Sequence, residues 1–403
     1  MSQTWPGGII SKTPPTVVGP TDGEGGSAPG VWTLDQAMGY EKLGLWPKPL
    51  IPKELWSWGD NLYGQLGLGN ITYYSSPKQV GALTTWLTVA AGYSFTLATK
   101  TDGTLWSWGR NQNGQLGFGN ITNYSSPKQV GALTTWSKVS GGNKFSMALK
   151  TDGTLWSWGN NANGQLGLGN ITYYSSPKQV GALTTWSNIT GVWFTALATK
   201  TDGTLWSWGQ NEYGQLGLGN VTYYSSPKQV GALTTWSKVA SGRFLSAAIK
   251  NDGTLWTWGR NQAGQLGLGN TTNRSSPNQV GALTTWLTVA GGGYNGFGVA
   301  LKTDGTLWSW GSNGFGQLGL GNTTNYSSPK QVGALTTWIT IACGRYNTLA
   351  TKTDGTLWSW GRNNAGQLGL GNTTNYSSPK QVGALTTWLN VAGSESDGLA
   401  RKT

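Results

Sequence analysis

Short runs of alternating apolar and polar residues recur along most of the chain. Phe95-Thr96-Leu97-Ala98-Thr99-Lys100 and Leu105-Trp106-Ser107-Trp108-Gly109 both have a period of two, the pattern of a strand buried on one side. The Asp102-Gly103 pair between them predicts a type I′ hairpin turn. A third run, Leu87-Thr88-Val89-Ala90, is β-prone, and Ser-Ser-Pro-Lys-Gln-Val supplies a fourth segment. The set repeats seven times. Trp-Ser-Trp-Gly starts at Trp56, Trp106, Trp156, Trp206, Trp308 and Trp358, and Trp-Thr-Trp-Gly at Trp256, at intervals of 50 residues with one step of 52. Units of this length bury their apolar faces only against neighbours, and four short strands per unit describe a propeller blade. The chain is therefore expected to be all-β, with a seven-bladed β-propeller over residues 51–403.

The ends of the repeat indicate how the ring closes. The last unit stops at Lys402-Thr403, where an Asp-Gly turn would follow, and the first begins at Lys53-Glu54, just past such a turn. Leu399 to Thr403 is expected to pair with Glu54 to Trp58, which removes two sheet edges. Residues 1–50 lie outside the repeat. They are rich in Gly and Pro and read as an extended arm, with one short helix from about Leu34 to Lys42 after the capping box Thr33-Leu34-Asp35-Gln36. Such a helix needs a surface to dock on, so the arm is expected to anchor the chain in an assembly.

Composition narrows the chemistry. The chain has no histidine, one cysteine (Cys343) and 15 scattered carboxylates, which excludes Ser-His-Asp and Cys-His nucleophiles and His-bearing zinc sites. No enzyme activity, metal or cofactor is expected. No run of 18 apolar residues is present, so no membrane insertion is expected. The formal charge of +12 is spread by repetition, at Lys100, Lys150, Lys200, Lys250, Lys302, Lys352 and Lys402 and in a second set from Lys78 to Lys380. Distributed in this way it reads as a solubility device, and nucleic acid is not the expected partner. The Asn70-Ile71-Thr72 triplet and its six copies read as turn residues.

Gly-Gln-Leu-Gly-Leu-Gly after Trp-Gly-x-Asn-x-x, with Val-Ala-x-Gly and Leu-Ala-x-Lys-Thr-Asp-Gly, resembles the regulator of chromosome condensation repeat, a seven-bladed propeller family. The likeness covers about 350 residues and implies the fold; function varies widely on it. The family's usual histidine column holds Phe95, Phe145, Thr195, Leu245, Phe297, Asn347 and Asp397 here, a departure from its eukaryotic cellular members.

Comparison of the seven units with one another locates two variable column sets. One holds Tyr93, Lys144, Trp193, Phe194, Arg243, Phe244, Tyr294, Arg345 and Tyr346; the other, after Trp-Gly, holds Arg110, Tyr213, Arg260, Phe315 and Arg362. Both lie seven to ten residues from the Asp-Gly turn, on opposite sides of it. In an antiparallel pair that puts them at one end, remote from the turn. Aromatics and arginines are residues of binding hot spots, so this face is the candidate ligand-binding surface.

Residues 27–34 and 44–47 resemble short segments of tailed-phage virion proteins. That resemblance implies a virion surface or tail-fibre-type adhesion module, held to other virion proteins by residues 1–50, with a propeller that binds a host surface glycan or protein. The competing reading is a cytoplasmic propeller scaffold or an exchange factor for a small GTPase. An inhibitor of a secreted enzyme is a third, and would be expected to carry a signal peptide.

Overall fold

The structure, a computed structural model, describes residues 53–293, 296–393 and 396–403. The expected arm and its helix lie outside the described residues. Within them the chain forms 28 strands, from β1 (Glu54–Gly59) and β2 (Tyr74–Gln79) to β27 (Trp388–Gly393) and β28 (Asp397–Lys402), in seven antiparallel four-stranded sheets.

Blade 1 is the pattern for the others. It comprises β3 (Trp86–Ala91), β4 (Phe95–Lys100), β5 (Leu105–Gly109) and β6 (Tyr124–Gln129), paired in that order. The first strands of successive blades neighbour one another around the ring and line a central channel. All six residues of β4 are buried. Strand β6 forms the outer edge, where Pro127 and Lys128 discourage pairing with another chain. Blades 2 to 6 follow at 136–179, 186–229, 236–279, 286–331 and 338–381.

Blade 7 is assembled from both ends of the repeat, in the order β2-β1-β28-β27. Its register runs from Glu54↔Lys402 to Gly59↔Asp397, and Lys402 Nζ lies 3.3 Å from Glu54 Oε2. Arg401 donates to Asn390 Oδ1 (3.0 Å) and across the seam to Trp86 O in blade 1 (2.9 Å).

The core sits between blades. Phe95, Leu97 and Leu105 of blade 1 pack with Trp136, Ala148 and Trp158 of blade 2 in one cluster. The second Trp of each Trp-x-Trp also latches one blade to another. Trp108 Nε1 donates to Gln65 O (2.9 Å), Trp158 Nε1 to Gln115 O (2.9 Å), and Trp58 Nε1 to Gln367 O (3.0 Å) completes the circle. Such buried indole donors need a partner, and the repeat supplies one at every interface.

Two expectations are corrected. In the Asp-Gly turn only Gly103 has positive φ (75°), whereas type I′ requires two such residues. Gly103 N–H instead closes onto Lys100 O at 3.0 Å, and Asp102 Oδ1 accepts from Thr104 N (2.9 Å) and Oγ1 (2.6 Å). The aspartate caps the turn from the ordinary right-handed region, so only the glycine needs to be left-handed. A Cβ there would also meet Thr134 O at 2.0 Å.

The lysines beside these turns are not a solvated coat. Lys100 Nζ lies 3.8 Å from the Trp106 ring centre and 5.4 Å from that of Trp86, and Lys150, Lys200, Lys250, Lys302 and Lys352 repeat the arrangement. Burial holds the ammonium groups of Lys100, Lys200 and Lys352 below the ordinary lysine value. They serve as cation–π packing residues.

Hydrogen bonds from Thr hydroxyl and amide groups hold the carboxyls of Asp152, Asp202, Asp252, Asp304 and Asp354 below their ordinary value. A folded-state value depressed in this way contributes stability above the unfolded pKa of about 3.9 and loses it as pH falls through the folded values. The melting temperature is therefore expected to drop between pH 4 and pH 2. Converting the five to Asn is expected to flatten that drop. An unchanged profile in thermal melts of the variant would remove these turns from the acid response.

Candidate functional site

The two variable column sets meet at one end of the ring, here termed the crown. Arg110 N–H donates to Ser94 O (2.8 Å), Asn160 N–H to Lys144 O (2.9 Å), Arg260 N–H to Phe244 O (2.8 Å) and Arg362 N–H to Tyr346 O (2.9 Å). These bonds hold each loop after Trp-Gly against the turn between the blade's first two strands. The Asp-Gly turns end the same hairpins on the other side.

The turns surround the channel mouth, a cavity of about 100 Å³ lined by Gly92, Gly142, Gly292 and Gly344 and by Tyr93, Asn143, Trp193, Arg243 and Arg345. Glycine is required by proximity: a Cβ on Gly141 would stand 2.7 Å from Gly92 N. Neighbouring turns are also hydrogen-bonded, Tyr93 N–H to Gly142 O (3.1 Å) and Asn143 N–H to Trp193 O (2.9 Å).

Trp193 is held at φ 56°, a left-handed conformation that is an outlier for a bulky side chain and a form of strain found at functional sites. Its ring meets Tyr93 edge-on at 6.3 Å and Phe194 at 5.8 Å. The Arg243 guanidinium lies 4.1 Å from the Trp193 ring centre and 4.6 Å from that of Phe244. Tyr93 and Trp193 belong to blades 1 and 3, so their contact passes over the turn of blade 2.

Outside the mouth, three arginines stack on aromatic pairs. Arg110 lies over Tyr63 (4.9 Å) and Tyr93 (5.7 Å), Arg260 over Tyr213 (5.3 Å) and Phe244 (5.7 Å), and Arg362 over Phe315 (5.1 Å) and Tyr346 (5.4 Å). Arg345 adds a contact to Tyr346 at 5.2 Å. The pairing follows the repeat. Arginine occupies its column only where the preceding unit carries Tyr63, Tyr213 or Phe315. The other four pairs are Asn113 with Asn160, Asn163 with Gln210, Ala263 with Ser312, and Ala365 with Asp60.

Of the candidate residues, Tyr93, Arg110, Lys144, Trp193, Phe194, Tyr213, Arg260, Arg345, Arg362, Arg243 and Tyr346 are half-buried at the crown. Phe244 is corrected: only 8% exposed, it supports Tyr213 from below, ring centres 4.8 Å apart. Tyr294 lies outside the described residues. The outer rim lies outside the two variable column sets; there Ile71, Ile121, Ile171 and Val221 stand out in water beside Tyr73, Tyr173 and Tyr223. The signal was present in the middle residue of Asn-x-Thr, which changes from Ile or Val to Thr along the chain. Asn70 itself is committed to its loop, with Oδ1 accepting from Thr72 N (3.0 Å) and Nδ2 donating to Tyr74 OH (3.2 Å). Among the described residues no group of three or more His, Cys, Asp or Glu could hold a metal ion.

Comparison with known proteins agrees with this architecture. The regulator of chromosome condensation (RCC1) repeat matches residues 54–99, 102–149, 152–193, 202–249, 252–299, 304–351 and 354–396. Over 54 residues the chain is 44% identical to the RCC2 homolog of Danio rerio and 43% identical to human RCC2. That stretch is 13% of this chain and about a tenth of either relative's length. Human WBSCR16 shares the fold with a TM-score of 0.79 at 23% identity, covering 88% of this chain and 99% of that one. Prp20p from Saccharomyces cerevisiae does so with a TM-score of 0.77 at 20% identity, covering 88% and 92%. With seven consecutive repeats matched around a closed ring, the chain belongs to the regulator of chromosome condensation (RCC1) repeat family.

Proposed function

We propose that the propeller is a non-catalytic protein-recognition scaffold and that its crown is the binding face. The observation that carries this is the cluster of Tyr93, Trp193 and Arg243 at the channel mouth, with Trp193 held in a strained conformation. Rigid aromatics and stacked arginines offer large contact area at low entropic cost.

The compared proteins favour this reading over adhesion to a host. Prp20p was described together with its binding to Gsp1p and histones, and a second structure holds Kap60 bound to yeast RCC1 (Prp20). Those interactions belong to proteins about 20% identical to this chain; here they support a protein partner and the cytoplasmic alternative. The virion, tail-fibre and host-glycan reading rested on residues 1–50, and the family match begins only at residue 54.

The test is the triple change Trp193→Ala, Arg243→Ala and Tyr346→Ala. Hot-spot anchors typically cost about 2 kcal/mol or more each when truncated. Quantitative cross-linking of full-length protein in extract of its source cells is expected to lose its specific partners, with melting temperature changed by only a few degrees. The control, Leu83→Ser with Leu133→Ser on the Asp-Gly face, is expected to keep them. Partners that survive the triple change and vanish in the control would move the binding face to the other side.

A further inference from the structure

We infer that the crown takes a protein segment that is apolar along one part and acidic along the next, an inference resting on the crown being the binding face. The rim that would carry this segment is continuous. Each loop after Trp-Gly seats on the outer strand of another blade, Gly69 N–H donating to Ser125 O, Gly119 N–H to Ser175 O and Gly169 N–H to Ser225 O, all at 2.8 Å, and Gly371 N–H to Ser75 O (2.7 Å) joins the two ends.

Chemistry is divided along this belt. On four adjacent blades the rim presents Ile71, Ile121, Ile171 and Val221, 63%, 65%, 65% and 60% exposed. On blades 4 to 6 the same column is Thr271, Thr323 and Thr373. The fold therefore accepts threonine at this position, and packing does not explain the four apolar side chains. Left in water they gain nothing; under a partner's apolar side chains they do. Tyr173 and Tyr223 lie on the same arc, where blades 4 to 6 carry Asn273, Asn325 and Asn375.

The remaining sector is basic. The crown segments of blades 4 to 6 (242–244, 260–273, 312–325, 344–346 and 362–375) contain four arginines and no Asp or Glu. In the apolar arc Asp60 and Glu212 offset the crown cations Arg110 and Lys144, so the net positive charge lies on blades 4 to 6. The Arg362 guanidinium lies over the Phe315 and Tyr346 rings, and a planar fork held there suits a carboxylate. A nucleic-acid backbone would match the arginines but would leave the Ile and Val arc in water, so the two sectors together fit a protein.

The experiment measures fluorescence anisotropy of full-length protein with four labelled probes: short peptides of Glu and Leu, of Glu alone, and of Lys and Leu, and a single-stranded oligothymidylate. The Glu-Leu peptide is expected to bind at least about tenfold more tightly than any other probe. Two variants copy residues that other blades already carry. Ile71→Thr, Ile121→Thr, Ile171→Thr and Val221→Thr together should reduce Glu-Leu binding to that of polyglutamate. Arg260→Ser with Arg362→Ser should reduce it to that of the Lys-Leu peptide. Melting curves confirm that both remain folded. Equal binding of the Glu-Leu and Lys-Leu peptides, tightest binding of the oligonucleotide, or folded variants that bind like the parent would overturn the inference. If the peptides fail but the crown triple change still loses its cross-linked partners, only this partner class is wrong. If both fail, the crown is not the binding face.

Discussion

Truncation after Gly398 is expected to lower the unfolding midpoint by at least about 10 °C, because one short segment serves two interblade cores and the ring seam. Leu399 is wholly buried in the cluster of Leu55, Val80 and Trp86, whereas its neighbour Ala400 is buried with Trp58 and Trp388. Loss of a buried leucine alone typically costs about 3–5 kcal/mol. The same cut removes the strand between β27 and β1, exposes both their edges, and takes away Arg401's bond to Trp86 O. Further loss follows from interruption of the circle, since each blade's core is half supplied by a neighbour. Calorimetry of the parent and truncated chains is the measurement. Equal midpoints would mean that the seam pairing contributes nothing to stability.

What could be read from the chain beforehand depended on distance. The seven-fold period and the alternating runs are local, and they led directly to strands, blades and ring. Placement of Tyr93 and Arg110 at the same end needed only antiparallel pairing, and the two loops do meet there. The Asp-Gly dipeptide marks where the turn lies but not its class. Whether Asp102 goes left-handed depends on the competing bond its carboxylate makes to Thr104, a choice that the dipeptide does not reveal. The lysines depart from expectation for a related reason. Charge counting treats Lys100 as solvated, yet strand pairing sets Trp86 opposite Lys100 and brings the Trp106 ring beneath the same ammonium. Phe244 and Trp193 occupy adjacent columns of equal variability. Only the packed ring shows that one is a support and the other spans toward Tyr93 two blades away.

Trp158→Ala is expected to have the largest effect of any single substitution on stability. Its ring is wholly buried, packs with Phe95, Leu97 and Trp136 in the core between blades 1 and 2, and donates from Nε1 to Gln115 O at 2.9 Å. Truncation of such a side chain typically costs about 3–5 kcal/mol, which for a domain of this size lowers the melting temperature by roughly 4–7 °C. Trp193→Gly should behave in the opposite manner. Relief of the left-handed backbone is worth roughly 1–2 kcal/mol, which offsets much of the loss of the Tyr93 and Phe194 ring contacts at about 0.5–1.5 kcal/mol each. Its melting temperature should stay within a few degrees of the parent while the crown loses its central ring. Parallel thermal melts of both variants make the comparison. A fall for Trp193→Gly as large as that for Trp158→Ala would identify Trp193 as a staple that holds the mouth turns together, and binding would have to be sought elsewhere on the crown.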